Sequence, residues 1–109
     1  MKSYVLERHG GPQVLRLGEA PIPDPGPGEV RVRIGAIGVN YAEILSRKGM
    51  YQWAPKLPYT PGMEATGTIE AIGSGVTREI GESVIVGTQH GCYSEAVVVP
   101  QVRALPALP

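Results

Sequence analysis

The clearest alternation of hydrophobic and polar positions runs over residues 29–38. Aliphatic side chains at positions 30, 32, 34 and 36 alternate there with charged residues and glycine. Because successive side chains of a strand point to opposite faces, this pattern predicts a half-buried β-strand. Two shorter strands are predicted at Tyr4–Leu6 and Val14–Leu17, on either side of a Gly-Gly-Pro turn signal.

The period of the pattern changes after Asn40. Side chains at positions 41, 44, 45 and 48 share one helical face, which predicts one short helix over Asn40–Lys48 with Gly49 as its left-handed cap. Asn40 and Glu43 have the spacing of a capping box, in which each side chain accepts a hydrogen bond from the other residue's backbone. Asn40 and Tyr41 could also lie at the rim of a cleft and bind a ligand. The two roles are compatible, because a capped helix terminus is a rigid mount.

Three further strand-like segments, Glu64–Ile72, Ser83–Gly87 and Tyr93–Val99, are separated by glycine-containing turns. The proline-alternating tract at 21–27 is expected to be extended and cannot pair as a central strand, although it could also be a ligand for SH3 or WW domains. The tail at 104–109 has no hydrophobic period and is predicted to be a linker. Many short strands with closely spaced turns favour a small barrel or sandwich.

Composition narrows the class of protein. The 15 glycines and 11 prolines in 109 residues leave little room for long helices, while 42% hydrophobic and 18% charged residues favour a folded domain. Ten basic and ten acidic residues cancel, and no basic cluster indicates nucleic-acid binding. No apolar window reaches the length of a membrane span. The single cysteine excludes an internal disulfide and favours a reducing, cytoplasmic location.

The candidate metal ligands are too few for a zinc site. His9, His90 and Cys92 are the only imidazole or thiol groups. The His90-x-Cys92 pair supplies two ligands, whereas a catalytic zinc site needs three protein ligands and a structural site four. We therefore expect no metal. Cys92 with His90 as its base is an alternative nucleophile, against the more common state of a buried free cysteine. The Gly73-Ser74-Gly75 turn begins like a dinucleotide fingerprint, but no apolar helix follows it, so no pyrophosphate site is predicted.

A carboxylate, Glu64, comes directly after a Pro-Gly turn at the start of an apolar strand. Burying such a group is costly unless it is paired or hydrogen-bonded. Two interpretations stay open: an exposed glutamate at the strand end, or a buried one paired with Arg47 or Lys48.

Blocks of sequence along the whole chain resemble one known domain family. The blocks are the Pro-Gly tract leading into Glu29–Ile34, then Gly38–Glu43, Arg47–Tyr51, Pro61–Gly67, Gly73–Val76, Gly81–Val84 and Gly91–Glu95. They resemble the N-terminal, chaperonin-10-like (GroES-like) domain of the medium-chain dehydrogenase/reductase superfamily. The sequence is most similar to the zinc-free quinone oxidoreductase branch, because Asn40 and Met63 stand where zinc alcohol dehydrogenases place a cysteine and a histidine.

The resemblance implies a mainly β fold, a GroES-like, partly open barrel with one or two short helices. It further implies a cleft in which NADPH, without zinc, transfers hydride to a quinone or an activated enone. The implied catalytic residues are Asn40, Tyr41 and Glu43. The implied cofactor-binding residues are Asn40, Arg47 and Tyr51, and the implied substrate-cleft residues are Tyr51, Met63 and Glu64. Family members usually have aspartate where Glu43 stands.

Relatives in this family continue into a Rossmann domain. We therefore expect residues 1–109 to be the substrate-side domain of a two-domain enzyme and to be inactive alone. The alternative is a stand-alone GroES-like module for binding or oligomerisation, as in the co-chaperonins. The expected partner is a small-molecule quinone or enone, with no nucleic acid and no membrane, and homodimer formation is left open.

Overall fold

The computed structural model describes residues 1–107. Two of the predicted tail residues, 108 and 109, lie outside this range. Within it there are seven strands, one α-helix and two short 3₁₀ turns, at Pro12–Val14 and Gln101–Arg103. The strands and the helix are β1 (Lys2–Leu6), β2 (Leu15–Glu19), β3 (Glu29–Gly38), α1 (Tyr41–Arg47), β4 (Glu64–Ile72), β5 (Ser83–Gly87), β6 (Ala96–Pro100) and β7 (Ala104–Pro106).

All strand pairs are antiparallel. β1 and β2 form a hairpin, and the other five strands form one sheet in the order β6-β3-β4-β5-β7. Two register shifts in the β3–β4 pair bend these strands. The sheet curls into an open half-barrel, which confirms the predicted mainly β, GroES-like fold class.

In strand β3 the predicted alternation is confirmed up to Ile34 and is wrong at Ala36. Val30 and Val32 are fully buried and Ile34 is half-buried, as the pattern predicts. Ala36 was expected to face inward but is exposed. A register shift between Ile34 and Ala36 inserts Gly35, so the residues beyond it no longer follow the earlier alternation.

The predicted linker at 104–109 is wrong for its first residues. Ala104–Pro106 form strand β7, which pairs with Val84–Val86 of β5, and Ala104 is buried. Three residues are too few to show a hydrophobic period, so only the pairing with a strand 20 residues earlier reveals the element. The predicted strand at Tyr93–Val99 likewise begins late, at Ala96.

The helix is shorter than its pattern predicted. It spans seven residues, Tyr41–Arg47, with Asn40 as its N-cap, and Gly49 takes the predicted left-handed conformation at φ +79°. The Pro21–Pro27 tract forms no strand, as expected. No helix within residues 1–107 is long and apolar enough to cross a membrane.

Two hydrophobic clusters hold these elements together. The larger lies on the concave side of the sheet and consists of the buried residues Val30, Val32, Ala65, Ile69, Val84, Val86, Cys92, Val97, Val99 and Ala104. The smaller lies between the β1–β2 hairpin and the loop after α1, and consists of Leu6, Val14 and Tyr59. Helix α1 lies next to the hairpin, where the Gly10 N–H donates to the Arg47 carbonyl at 2.9 Å.

Candidate functional site

The first turn of α1 contains a buried carboxylate. Glu43 is only 5% exposed, although it lies in the first turn of a surface helix. Its Oε2 accepts the backbone N–H of Asn40 at 3.3 Å, and the Glu43 backbone N–H donates to the Asn40 carbonyl at 3.0 Å. The Glu43 half of the predicted capping box is thus confirmed.

The same carboxylate also accepts hydrogen bonds from residues outside α1. Glu43 Oε1 accepts the backbone N–H of Met63 at 3.0 Å and lies 3.4 Å from the Asn40 amide nitrogen Nδ2. The Tyr93 hydroxyl also donates to Glu43 Oε2. A buried carboxylate is costly without partners, and here neutral donors from three separate segments surround it. We call the group Asn40, Glu43, Met63 and Tyr93 the α1 corner.

The α1 corner contacts two other segments through their backbones. Segment 60–62 runs alongside 91–93, with Tyr93 N–H donating to the Pro61 carbonyl at 2.9 Å. Gly62, at φ +111°, lies so close that an added Cβ would come within 2.7 Å of the Tyr93 backbone nitrogen. The Pro-Gly turn of the sequence is therefore a place where two backbones approach more closely than any side chain would allow.

Burial raises the pKa of two groups, Tyr93 of the α1 corner and the neighbouring Cys92. It raises the pKa of the Tyr93 hydroxyl, and the negative Glu43 beside it raises that pKa further. It also raises the pKa of the Cys92 thiol to about 12, with smaller contributions from the Glu43 and Glu64 charges. Both groups therefore stay protonated at neutral pH, and Cys92 does not have the properties of a nucleophile.

A cleft of about 480 Å³ opens between the hairpin and α1. Its walls are mainly apolar and come from Tyr4, Pro12, Leu15, Ile37, Val39, Ile44 and Pro61. Three polar side chains, Glu43, Arg47 and Tyr93, also line it. An apolar cleft of this size with a few convergent polar groups is typical of small-molecule sites.

The remaining sequence-predicted residues make no hydrogen bond to the Glu43 carboxylate within residues 1–107. Tyr41 is 72% exposed, and Tyr51 is half-buried with its ring edge-on to Trp53 at 5.5 Å. Arg47 donates from Nε to the Gly10 carbonyl at 3.2 Å, so it is held by the loop after β1. Hydrogen bonds join Asn40, Glu43 and Met63, and none of those described within residues 1–107 involves the side chain of Tyr41 or Tyr51.

Glu64 lies exposed at the first position of β4, as one of the two interpretations proposed. It stands opposite Gly38 in the β3–β4 pair, and a Cβ added at Gly38 would clash with its side chain. Neither Arg47 nor Lys48 forms a salt bridge with Glu64 within residues 1–107, and Arg47 instead donates to the Gly10 carbonyl.

The predicted soft ligands are dispersed. The His9 ring packs against Gly49, the His90 ring lies 6.2 Å from that of Tyr59, and Cys92 belongs to the core of the sheet. Within residues 1–107, no group of three or more His, Cys, Asp or Glu side chains is placed to hold a metal ion.

Comparison with known proteins identifies the family. The alcohol dehydrogenase GroES-like domain matches residues 26–109. The chain belongs to this family. The resemblance found in the sequence is confirmed, since relatives include quinone oxidoreductases of the medium-chain dehydrogenase/reductase superfamily.

Three of these relatives show how much of a protein the match covers. The human synaptic vesicle membrane protein VAT-1 homolog is 40% identical over 106 residues, which are 94% of this chain and 27% of that protein. The quinone oxidoreductase of Pseudomonas aeruginosa is 44% identical over 102 residues, 92% of this chain and 31% of that enzyme. The Escherichia coli quinone oxidoreductase, solved with NADPH, superposes with a TM-score of 0.93 at 33% identity, over 100% of this chain and 33% of that one. The chain thus spans about a third or less of these relatives.

Sequence reasoning missed Tyr93 as a member of the site. It lies between a cysteine and a serine in a segment that the pattern predicted to be a strand, and nothing local marks its hydroxyl as a partner of a residue 50 positions earlier. Tyr4, which also lines the cleft, was missed as well. The only available signal was the unpaired acid at Glu43, which needs donors once it is buried.

Proposed function

We propose that this chain is the substrate-side domain of an NADPH-dependent oxidoreductase that reduces a quinone or an activated enone. The quinone oxidoreductase relatives support the reaction class, and the NADPH bound in the Escherichia coli structure supports the cofactor. Full activity would also require the part of a quinone oxidoreductase that this chain does not cover, because the chain matches only about a third of such an enzyme. The two-domain organisation is part of the proposal.

One observation carries this proposal: a single buried carboxylate holds both Asn40 and Met63. These are the two positions at which the sequence resembles the zinc-free branch and not the zinc alcohol dehydrogenases. Glu43 binds the backbone of each, at 3.3 Å and 3.0 Å. Without a metal to polarise a substrate carbonyl, fixed hydrogen-bond donors must supply that effect, and fixed donors need a rigid support.

The proposed roles follow from exposure. Asn40, at the helix N-cap, and the exposed Tyr41 are the donors that would contact the substrate carbonyl. Tyr51, Met63 and Glu64 would line the substrate side. Glu43 is buried and already accepts several hydrogen bonds, so it would act by positioning Asn40 and not by touching substrate.

Residues of this chain would bind one side of the cofactor. Asn40, Arg47 and Tyr51 would hold the nicotinamide end, and bound NADPH would supply the hydride. A proton must also reach the reduced acceptor, and exposed hydroxyl groups such as that of Tyr41 could relay it from water. The Gly73–Gly75 turn follows β4, but no helix follows it within residues 1–107, so the pyrophosphate would be bound elsewhere.

A domain exchange tests the function. Residues 1–107 would replace the matching segment of the Pseudomonas aeruginosa quinone oxidoreductase, and NADPH oxidation would be followed with a quinone and with an enone. We expect the hybrid to reduce at least one of them. Asn40→Ala should lower kcat by roughly 10- to 100-fold, because it removes a donor at the reacting carbonyl. Ser74→Ala, at an exposed turn residue, is the control.

Two outcomes would contradict the proposal. The first is a folded hybrid that binds NADPH but reduces neither acceptor. The second is a micromolar dissociation constant for NADPH measured on the isolated 109-residue chain, which would show that the cofactor needs no second domain. A ring-shaped heptamer in size-exclusion chromatography would favour the co-chaperonin-like alternative.

A further inference from the structure

Three separate segments of the chain are joined by one residue, Tyr93. Its backbone N–H donates to the Pro61 carbonyl at 2.9 Å, and its carbonyl accepts the Tyr4 N–H at 2.8 Å. Its hydroxyl donates to Glu43 of α1. Strand β1, the Pro-Gly turn and the helix therefore meet at a single side chain and its own backbone.

The two backbone hydrogen bonds of Tyr93 hold its main chain in place at the point from which the side chain extends. Gly62 leaves no space between the two backbones, since a Cβ there would lie 2.7 Å from both Tyr93 N and Tyr93 Cδ1. The Tyr93 ring lies against Gly62, and its hydroxyl reaches α1. The hydroxyl at its end reaches a carboxylate that is itself only 5% exposed.

The Glu43 carboxylate, held by the Tyr93 hydroxyl, in turn binds two further residues. Glu43 Oε1 accepts from Met63, and Oε2 accepts from both Asn40 N–H and the Tyr93 hydroxyl. A carboxylate with two oxygens can rotate about its last side-chain bond unless donors on both sides hold it. Tyr93 supplies the donor that comes from outside the helix and the turn.

We propose that Tyr93 is a positioning residue, which through Glu43 fixes Asn40 and Met63 at a constant separation. Its importance for catalysis rests on the proposed function, whereas the positioning itself does not. Burial keeps the pKa of the hydroxyl raised, so it remains a donor throughout the physiological pH range. Nothing in the local sequence around Tyr93 assigns it this role.

Native-state hydrogen exchange on the 109-residue chain tests the link directly. Tyr93→Phe removes one hydroxyl and keeps the ring that packs against Gly62. We expect the Asn40 and Met63 amides to exchange about three- to tenfold faster, the change equivalent to one ordinary hydrogen bond. Tyr4→Phe, which removes a hydroxyl from another tyrosine that lines the same cleft, should leave both rates unchanged.

A double-mutant cycle separates positioning from general loosening. Glu43→Ala removes both acceptor oxygens, so if Tyr93 acts through Glu43, adding Tyr93→Phe to Glu43→Ala should not accelerate exchange at Met63 any further. Unchanged rates in Tyr93→Phe, equal effects in Tyr4→Phe, or independent effects of the two substitutions would each overturn the proposal.

Activity gives a second and independent readout. In the hybrid enzyme, Tyr93→Phe should lower kcat several-fold with little change in the KM for quinone, because donor placement and not substrate affinity is altered. If exchange shows the coupling but the hybrid is inactive, the proposed function fails and the positioning role stands. An active hybrid whose exchange and kcat do not respond to Tyr93→Phe overturns the positioning role alone.

Discussion

In the core of the sheet, the fully buried side chains are apolar, whereas at the α1 corner the buried groups include a carboxylate. Val30, Val32 and Ile69 are fully buried members of the apolar cluster of the sheet. At the corner, Glu43 is almost as deeply buried but is surrounded by hydrogen-bond donors. The two regions are of similar depth and are stabilised by different interactions.

The two regions differ in how strictly they fix the positions of their side chains. Apolar packing is not directional, so a sheet core accepts side chains of similar volume with small losses. A buried carboxylate requires each donor at its own position, because an unpaired one is costly. The sheet therefore provides stability, and the corner provides the fixed geometry that a binding site needs.

The largest expected effect is in the sheet. Ile69→Ala should lower the free energy of unfolding by about 2–5 kcal/mol, because it removes buried methyl groups and leaves a cavity. Ile85→Ala, at a position that is 44% exposed in the neighbouring strand, should cost much less. Urea denaturation followed by circular dichroism measures both. Equal losses at the two positions would show that burial does not set the difference.

The next effect is in the corner. Glu43→Asp keeps the charge but shortens the side chain by one methylene, so the carboxylate cannot reach Met63 and Tyr93 together. We expect a loss of about 1–3 kcal/mol, from leaving buried donors unpaired. Glu64→Asp, at an exposed carboxylate, is the matched control and should change stability little. A neutral Glu43→Asp would mean that the backbone follows the shorter side chain.

High pH should lower the stability of the chain through Cys92, a residue of the sheet core that is next in sequence to Tyr93 of the α1 corner. The pKa of Cys92 is raised from 9.0 to about 12, so the unfolded chain loses this proton first and stability falls as pH rises through that interval. The slope for one proton is at most about 1.4 kcal/mol per pH unit. Cys92→Ala should flatten the decline measured by urea denaturation between pH 9 and 11. An unchanged slope would assign the decline to other groups.

The smallest effect is expected on the outer face of the sheet. Arg33 binds Glu70 at 3.1 Å but is 64% exposed, so Arg33→Ala should cost less than about 1 kcal/mol. Arg31 binds the same carboxylate at 2.7 Å, is 19% exposed, and also donates to the Pro23 carbonyl. Arg31→Ala should therefore cost more in the same denaturation experiment. A reversed order would contradict the role of exposure.

Much of the fold could be predicted from local patterns. The alternation at 29–38 predicted β3, and the change of period after Asn40 predicted α1 and its Gly49 cap. The pattern failed where the register shifted at Gly35 and where β7 was too short to have a period. Both failures concern pairing between distant strands, which a local window does not contain.

For the candidate site, the sequence by itself determined the residue types: an asparagine cap, an acid three residues later, and a Pro-Gly turn before Met63. It could not determine that the acid is buried or that Tyr93 is its partner. Those facts depend on how the turn, the helix and segment 91–93 fold onto one another. Hydrogen bonds act over about 3 Å in space and are indifferent to separation along the chain. Only the tertiary structure could therefore assign the buried acid at the α1 corner its donors.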